Sequence, residues 1–141
     1  MAGPDYTDAF EVSIAGADRR SAEQWARSTF EGAPWPMRWF VLAGWRMVLR
    51  LRLGPRPSPD HVLGWKILDR GANWVVLELR SAFLTAHLVF WVEESRVVQS
   101  TFLRYDRRVA HFVWPPVSMI HRQLVPWFLR RAASRPAPLT P

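Results

Sequence analysis

Apolar and polar residues alternate with a period of two near the start of this sequence, the pattern of a half-buried β-strand. Phe10, Val12 and Ile14 are separated by polar residues, and side chains that alternate in this way lie on opposite faces of a strand. We therefore predict a first strand over about Ala9 to Ile14.

The same period returns between Val62 and Tyr105. It is interrupted by turn-sized gaps at Arg70-Gly71, Ser81-Ala82 and Glu94-Ser95. Gaps this short join antiparallel neighbours, so the segment predicts a meander of four strands. Its apolar positions define an inner face, and Glu78, Arg80, His87 and Arg104 belong to the outer face.

Two helices are predicted between the first strand and the meander. Ser21 and Gln24 form a capping-box pattern, which predicts a helix from Ala22 to Glu31. A second helix is predicted from Pro36 to Gly54, because large apolar residues recur at helical spacing. They are Trp39, Leu42, Trp45, Leu49 and Leu53.

The last helix is predicted to begin after Asp106, whose side chain suits an N-cap. Pro115 and Pro116 each lack a backbone donor, so we predict two segments, about Arg107 to Trp114 and Val117 to Ala133. A further bend is expected at Pro126.

The resulting order is β-α-α-β-β-β-β-α, an α+β fold in which a curved antiparallel sheet is covered by a long kinked C-terminal helix. One domain over residues 1–134 accounts for the chain, and the proline-rich residues 135–141 are predicted to be a disordered tail.

Charge changes this picture only at the end of the chain. The 141 residues carry a net charge of +7, but the last acid is Asp106, and residues 107–141 contain six arginines and no acid. The basic character therefore belongs to the last helix and its end. It concerns docking or solubility more than the interior.

Several classes of protein and site are excluded or disfavoured. The absence of cysteine excludes disulfides and thiolate chemistry. The most apolar stretch, Trp35 to Leu53, contains four arginines and does not predict a membrane span. No signal peptide is evident at Met1 to Asp8, so a cytoplasmic location is expected. The four histidines lack metal-ligand spacing, and the glycines form no phosphate loop, so neither a metal nor a cofactor is expected.

Four segments of the chain resemble a known superfamily: "VLGWKIL", "LTAHLV", "TFLRYDRRVA" and "IHRQLVPWFLRRA". With the element order, they resemble a short, poorly characterised bacterial branch of the helix-grip superfamily SRPBCC, which includes START domains, polyketide cyclases and the birch-pollen allergen. Full members usually have six strands after the helix pair, whereas four are predicted here. The resemblance implies a cavity between the concave face of the sheet and the last helix.

A small apolar or aromatic molecule is the expected occupant of that cavity. The residues predicted to contact it lie on the inner face of the sheet and on one stripe of the last helix. They are Val75, Leu77, Leu79, Leu84, Ala86, Leu88, Phe90, Thr101, Leu103, Tyr105, His121, Leu124 and Phe128.

His121 is the titratable residue of that helical stripe. One interpretation is a core histidine paired with a backbone carbonyl or with Tyr105; Thr101 and Gln99 would belong to the same structural network. The other is contact with the ligand. In an enzyme alternative, a cyclase or dehydratase, His121 is the acid/base and Tyr105 or Thr101 orients the substrate.

The chain contains nine tryptophans and a cluster of C-terminal arginines, and both groups can be explained with or without a binding partner. Core packing and capping of the last helix are the favoured explanations. The alternative is an interaction module that docks on anionic lipid or RNA through the C-terminal arginines Arg130, Arg131 and Arg135. No nucleic-acid partner is expected; peripheral membrane contact and either a monomer or a homodimer remain open, because Trp74 and Trp91 lie on the outer face.

Overall fold

Six antiparallel strands form one curved sheet. The computed structural model describes residues 4–14, 20–55 and 58–135, so the predicted tail beyond Arg135 lies outside the described residues. The strand order across the sheet is β1-β6-β5-β4-β3-β2. The strands are β1 (Tyr6–Ser13), β2 (His61–Val62), β3 (Trp65–Arg70), β4 (Trp74–Arg80), β5 (Leu84–Val92) and β6 (Arg96–Tyr105).

The predicted meander is confirmed with one addition. Its first predicted strand is divided by a turn at Leu63 and Gly64, both with positive φ (45° and 91°), which leaves the short β2 before β3. Glycine takes this conformation at no steric cost, and it supplies the reversal that the apolar pattern does not reveal. β1 begins at Tyr6, earlier than the predicted Ala9.

The inner face predicted from the period of two is confirmed by the strand register. Val75 is opposite Phe90 and Leu77 is opposite Leu88, and all four are buried. The outer face carries the Glu78–His87 pair, whose Oε2 and Nε2 atoms are 2.8 Å apart.

Helix α1 (Ala22–Phe30) begins as the sequence predicts. The Ser21 hydroxyl accepts a hydrogen bond from the Gln24 backbone N–H at 3.2 Å. The Gln24 side-chain oxygen accepts one from the Ser21 backbone N–H at 2.7 Å. The buried residues Trp25 and Ala26 face the sheet, and α1 packs against β4 and β5.

The second predicted helix is too long. Helix α2 covers only Trp35–Ala43 and continues as a π-helical turn, Gly44–Val48, closed by the Leu49 N–H donating to the Gly44 carbonyl at 3.1 Å. Arg50 then has a φ of 56°, which ends the helical backbone. Apolar spacing alone did not reveal this, because the widened turn still carries large apolar residues.

Helix α3 (Ala110–Ser134) is one helix, and the two predicted segments are wrong: helical structure continues through Pro115, Pro116 and Pro126. The predicted N-cap is wrong too. Val109 occupies that position without a side-chain bond, and Asp106 instead accepts a hydrogen bond from the Thr85 hydroxyl at 2.6 Å. Helix α3 packs against β1 and α1, so it closes the inner face.

Candidate functional site

A cavity of about 570 Å³ lies between the inner face of the sheet, α3 and the α2 segment. Its walls are predominantly apolar and aromatic. The sheet contributes Trp65, Ala86, Leu88, Gln99 and Thr101, and α1 contributes Phe30. Helix α3 contributes Trp114, Val117, Ile120, His121, Leu124, Val125 and Phe128. The α2 segment contributes Pro36, Trp39, Phe40, Val41, Ala43, Gly44, Trp45, Met47, Val48, Leu49 and Leu51.

A chain of packed aromatic rings borders the cavity on the side of α1. Phe30 at the end of α1 lies edge-on to Phe90 at a centroid distance of 5.9 Å and to Trp45 at 5.7 Å. Trp45 in turn lies edge-on to Trp65 at 5.6 Å. This chain of aromatic rings forms the floor on the α1 side, because edge-to-face packing holds each ring at a fixed angle.

Part of the predicted contact set lines this cavity. Besides Ala86, five residues that the sequence predicted to contact the ligand are in its wall: Leu88, Thr101, His121, Leu124 and Phe128. Leu77, Leu79, Leu84, Phe90 and Leu103 are instead buried outside the lining, as is Val75. Helix α1 packs on β4 and β5, so it covers much of the inner sheet face that was predicted to contact the ligand.

Tyr105 also lies away from the cavity. Its ring is edge-on to His111 at a centroid distance of 4.7 Å, at the N-terminal end of α3. Burial raises the pKa of its phenol, and the nearby Asp5 carboxylate adds to the increase. The alternative that pairs His121 with Tyr105 is therefore wrong, because Tyr105 at the end of β6 packs on His111, whereas His121 contacts Asp8 and Thr101.

His121 is paired with a carboxylate from the first strand. Its Nε2 atom is 3.0 Å from Asp8 Oδ2 and 3.3 Å from the Thr101 hydroxyl. Asp8 is directly opposite Thr101 in the β1–β6 register, so the two strands hold both partners at one point on the sheet. A carboxylate only accepts, so Nε2 carries the proton of this pair and Nδ1 is the ring nitrogen not engaged with Asp8.

The Asp8 carboxylate is stabilised in its charged form. Burial raises its pKa, but hydrogen bonds from His121, Tyr6 and Thr101 outweigh burial and hold the pKa below its usual range. The Tyr6 hydroxyl donates to Asp8 Oδ2 at 2.6 Å. Burial and this bond raise the pKa of Tyr6 to about 12.

The remaining polar atoms of the cavity wall are less completely paired. Gln99 is 1% exposed, and its Oε1 atom has no hydrogen-bond partner among the described residues. The indole N–H groups of Trp65 and Trp114 also have none within the described part of the chain. Because an unpaired buried polar group costs free energy, these atoms are suited to a bound molecule with polar groups.

Sequence reasoning missed Asp8 and most of the α2 wall. Asp8 lies on the apolar side of β1 together with Tyr6, Phe10 and Val12, and the alternation that predicted this strand, extended toward its start, places it there. The α2 wall had only a weak signal, since Trp39 and Trp45 were assigned to core packing. In the structure Trp39 is 69% exposed.

Comparisons with known proteins give little beyond this geometry. No family model matches the chain, and no curated protein matches it. A solved structure of an uncharacterized protein from Rhizobium leguminosarum is similar at 17% identity and a TM-score of 0.35, with 89% of this chain and 95% of that chain covered. No helix in the described ranges combines the length and apolar character that crossing a bilayer requires.

Proposed function

We propose that this chain is a small helix-grip domain that binds one small, mainly apolar or aromatic molecule carrying a polar group. The observation that carries the proposal is the cavity of about 570 Å³, walled by aromatic and aliphatic side chains. Small-molecule sites typically have volumes of about 300–1,000 Å³ with a few convergent polar groups. The resemblance of the sequence to SRPBCC supports the same assignment, and membership in that superfamily is part of the proposal.

The polar wall gives the ligand an orientation. Gln99, Thr101 and His121 lie in the same wall, whereas the α2 segment offers rings and aliphatic chains. A polar group of the ligand pairs with the Gln99 amide and the free side of His121, and its apolar body displaces water from the aromatic wall. The site therefore favours an amphipathic molecule over a pure hydrocarbon.

The cavity is tested with the neutral fluorescent probe N-phenyl-1-naphthylamine. The wild-type protein is expected to bind it with a rise in fluorescence. Leu88→Trp, which adds bulk to the cavity wall, should abolish the rise. Val89→Trp introduces the same residue on the other face of β5 and should leave the fluorescence rise unchanged. Equal binding by both variants would place the probe elsewhere and refute the proposal.

Native mass spectrometry supplies a test with the natural ligand. A molecule that co-purifies with the wild-type protein and with Val89→Trp, but not with Leu88→Trp, identifies the occupant of the cavity.

The Asp8–His121 pair favours acid–base catalysis on the bound molecule as a second candidate function. A carboxylate that accepts a hydrogen bond from one imidazole nitrogen fixes the orientation and the tautomer of the ring, as an acid–base group requires. His121→Ala should then abolish turnover of a cognate substrate while the probe still binds. Unchanged turnover in this variant would leave binding as the function.

A further inference from the structure

The mouth of the cavity is bordered by large apolar side chains that are also exposed. Trp39 and Met47 are 69% and 70% exposed, and Phe40, Val48 and Ile120 are between 45% and 51% exposed. All five contribute to the cavity wall. Monomeric soluble proteins rarely expose a contiguous apolar surface of this kind, which usually marks an interaction site.

The two elements that border the mouth carry only positive charge. No acid occurs from Gly32 to Pro59, a stretch that contains Arg38, Arg46, Arg50 and Arg52, and none occurs in residues 107–141. Arg46, Arg50 and Arg52 are exposed. The apolar surface is therefore flanked by cations with no carboxylate from the same segments to neutralise them.

We propose that this arginine-flanked mouth docks on an anionic phospholipid surface. Trp39, Phe40 and Met47 would enter the boundary between headgroups and acyl chains, and the arginines would remain among the headgroups. Aromatic and aliphatic side chains beside cations are the combination that binds a bilayer interface, where each apolar group leaves water and each cation meets negative charge.

Other occupants fit this surface less well. A second copy of the chain would place the arginines of one mouth opposite those of the other, which is repulsive across a two-fold interface. Nucleic acid would contact the arginines and the aromatic rings. It would leave Met47, Val48 and Ile120 without a partner, because these side chains lack the flat ring needed for base stacking. An anionic lipid surface would contact both the arginines and the apolar side chains.

The first test needs no variant. Wild-type protein is sedimented with vesicles of phosphatidylcholine, with and without phosphatidylglycerol, at increasing salt. Binding is expected only with phosphatidylglycerol and should weaken as salt rises, since screening reduces attraction to the surface. No binding, or equal binding to both vesicles, overturns the proposal.

Variants of the apolar rim locate the contact. The double substitution Trp39→Ala, Phe40→Ala should reduce vesicle binding at least about tenfold, because both side chains would leave water on docking. The matched control Trp74→Ala, Trp91→Ala removes two exposed tryptophans from the outer face of the sheet and should bind as wild type. Equal loss in both pairs, or a dimer that the rim substitution converts to monomers without any vesicle binding, would contradict docking at the mouth.

Variants of the arginines test the charge. Arg46→Gln and Arg50→Asn should each weaken binding about fivefold; asparagine suits the positive φ of Arg50. Arg80→Gln and Arg104→Gln on the outer face should not weaken it. The cavity variant Leu88→Trp should still dock, so a protein that docks without binding the probe separates this proposal from the proposed function. Unfolding midpoints of all variants verify that loss of binding is not loss of fold.

Discussion

Asp8 connects strand β1 to helix α3 through its carboxylate. Its Oδ2 atom meets both the Tyr6 hydroxyl and His121 Nε2. The pKa of Asp8 is lowered in the folded protein. A lowered folded pKa means that the charged form contributes stability above the unfolded pKa of about 3.9, and that this contribution is lost as pH falls through the lower folded pKa.

Asp8→Asn should therefore destabilise the protein at neutral pH and matter little in acid. We expect a loss of about 1–2 kcal/mol in the free energy of unfolding at pH 7, because bonds to a charged partner are stronger than those to an amide. Urea denaturation at pH 7 and below pH 3 measures the difference. Asp60→Asn, at a side chain that is 76% exposed, should cost little at either pH. A loss that is independent of pH would show that Asp8 is not charged in the fold.

The Asp8–His121 contact also shows the limit of sequence patterns at the residue scale. The helical stripe that places His121 toward the sheet was visible in the sequence, whereas Asp8 lay outside the predicted strand, because β1 begins at Tyr6 and not at Ala9. Their pairing depends on β1 lying beside β6, which the order of the chain does not specify. Contacts between residues this far apart in sequence come from topology, so periodicity alone could not predict them.

At the scale of elements, the sequence predicted correctly those features that depend only on residues close together in the chain. The capping box of α1 and the turns at Gly71, Ser81 and Ser95 depend on neighbouring residues, and these predictions are confirmed. The end of α2 and the start of α3 depend on tertiary packing. Asp106 accepts a hydrogen bond from Thr85 on the sheet instead of capping α3. The prolines of α3 lie within a helix that is stabilised by packing against β1 and α1.

Ser21→Ala tests the capping box directly. The substitution removes the acceptor for the Gln24 N–H, so we expect a loss of about 1 kcal/mol in unfolding free energy. Ser28→Ala on the same helix, away from the cap, should be neutral or slightly stabilising, because alanine has the higher helix propensity. Thermal unfolding of the two variants compares them under identical conditions. Equal midpoints would mean that packing of Trp25 alone determines the start of α1.

For the whole molecule, the fold class could be predicted and the position of the cavity could not. The alternating strands and the amphipathic helices specify an α+β protein with one apolar sheet face. Which helix fills that face depends on the connections: α1 lies over β4 and β5, while α2 and its π turn remain at the mouth. Residues such as Leu77 and Phe90 therefore belong to the packed core, although their pattern is the same as that of Leu88.

This division predicts two different costs for removing large apolar side chains. Leu77 is fully buried in the packed part of the sheet, so Leu77→Ala should lower the unfolding free energy by about 2–5 kcal/mol through lost burial and the void left behind. Trp39 is larger but 69% exposed at the mouth, so Trp39→Ala should change it by about 0.5 kcal/mol or less. Urea denaturation measures both, and unchanged slopes confirm that the same surface unfolds. A cost for Trp39→Ala as large as that for Leu77→Ala would mean that Trp39 closes the core in solution. The mouth would then be shut, which would remove both the open cavity and the docking surface.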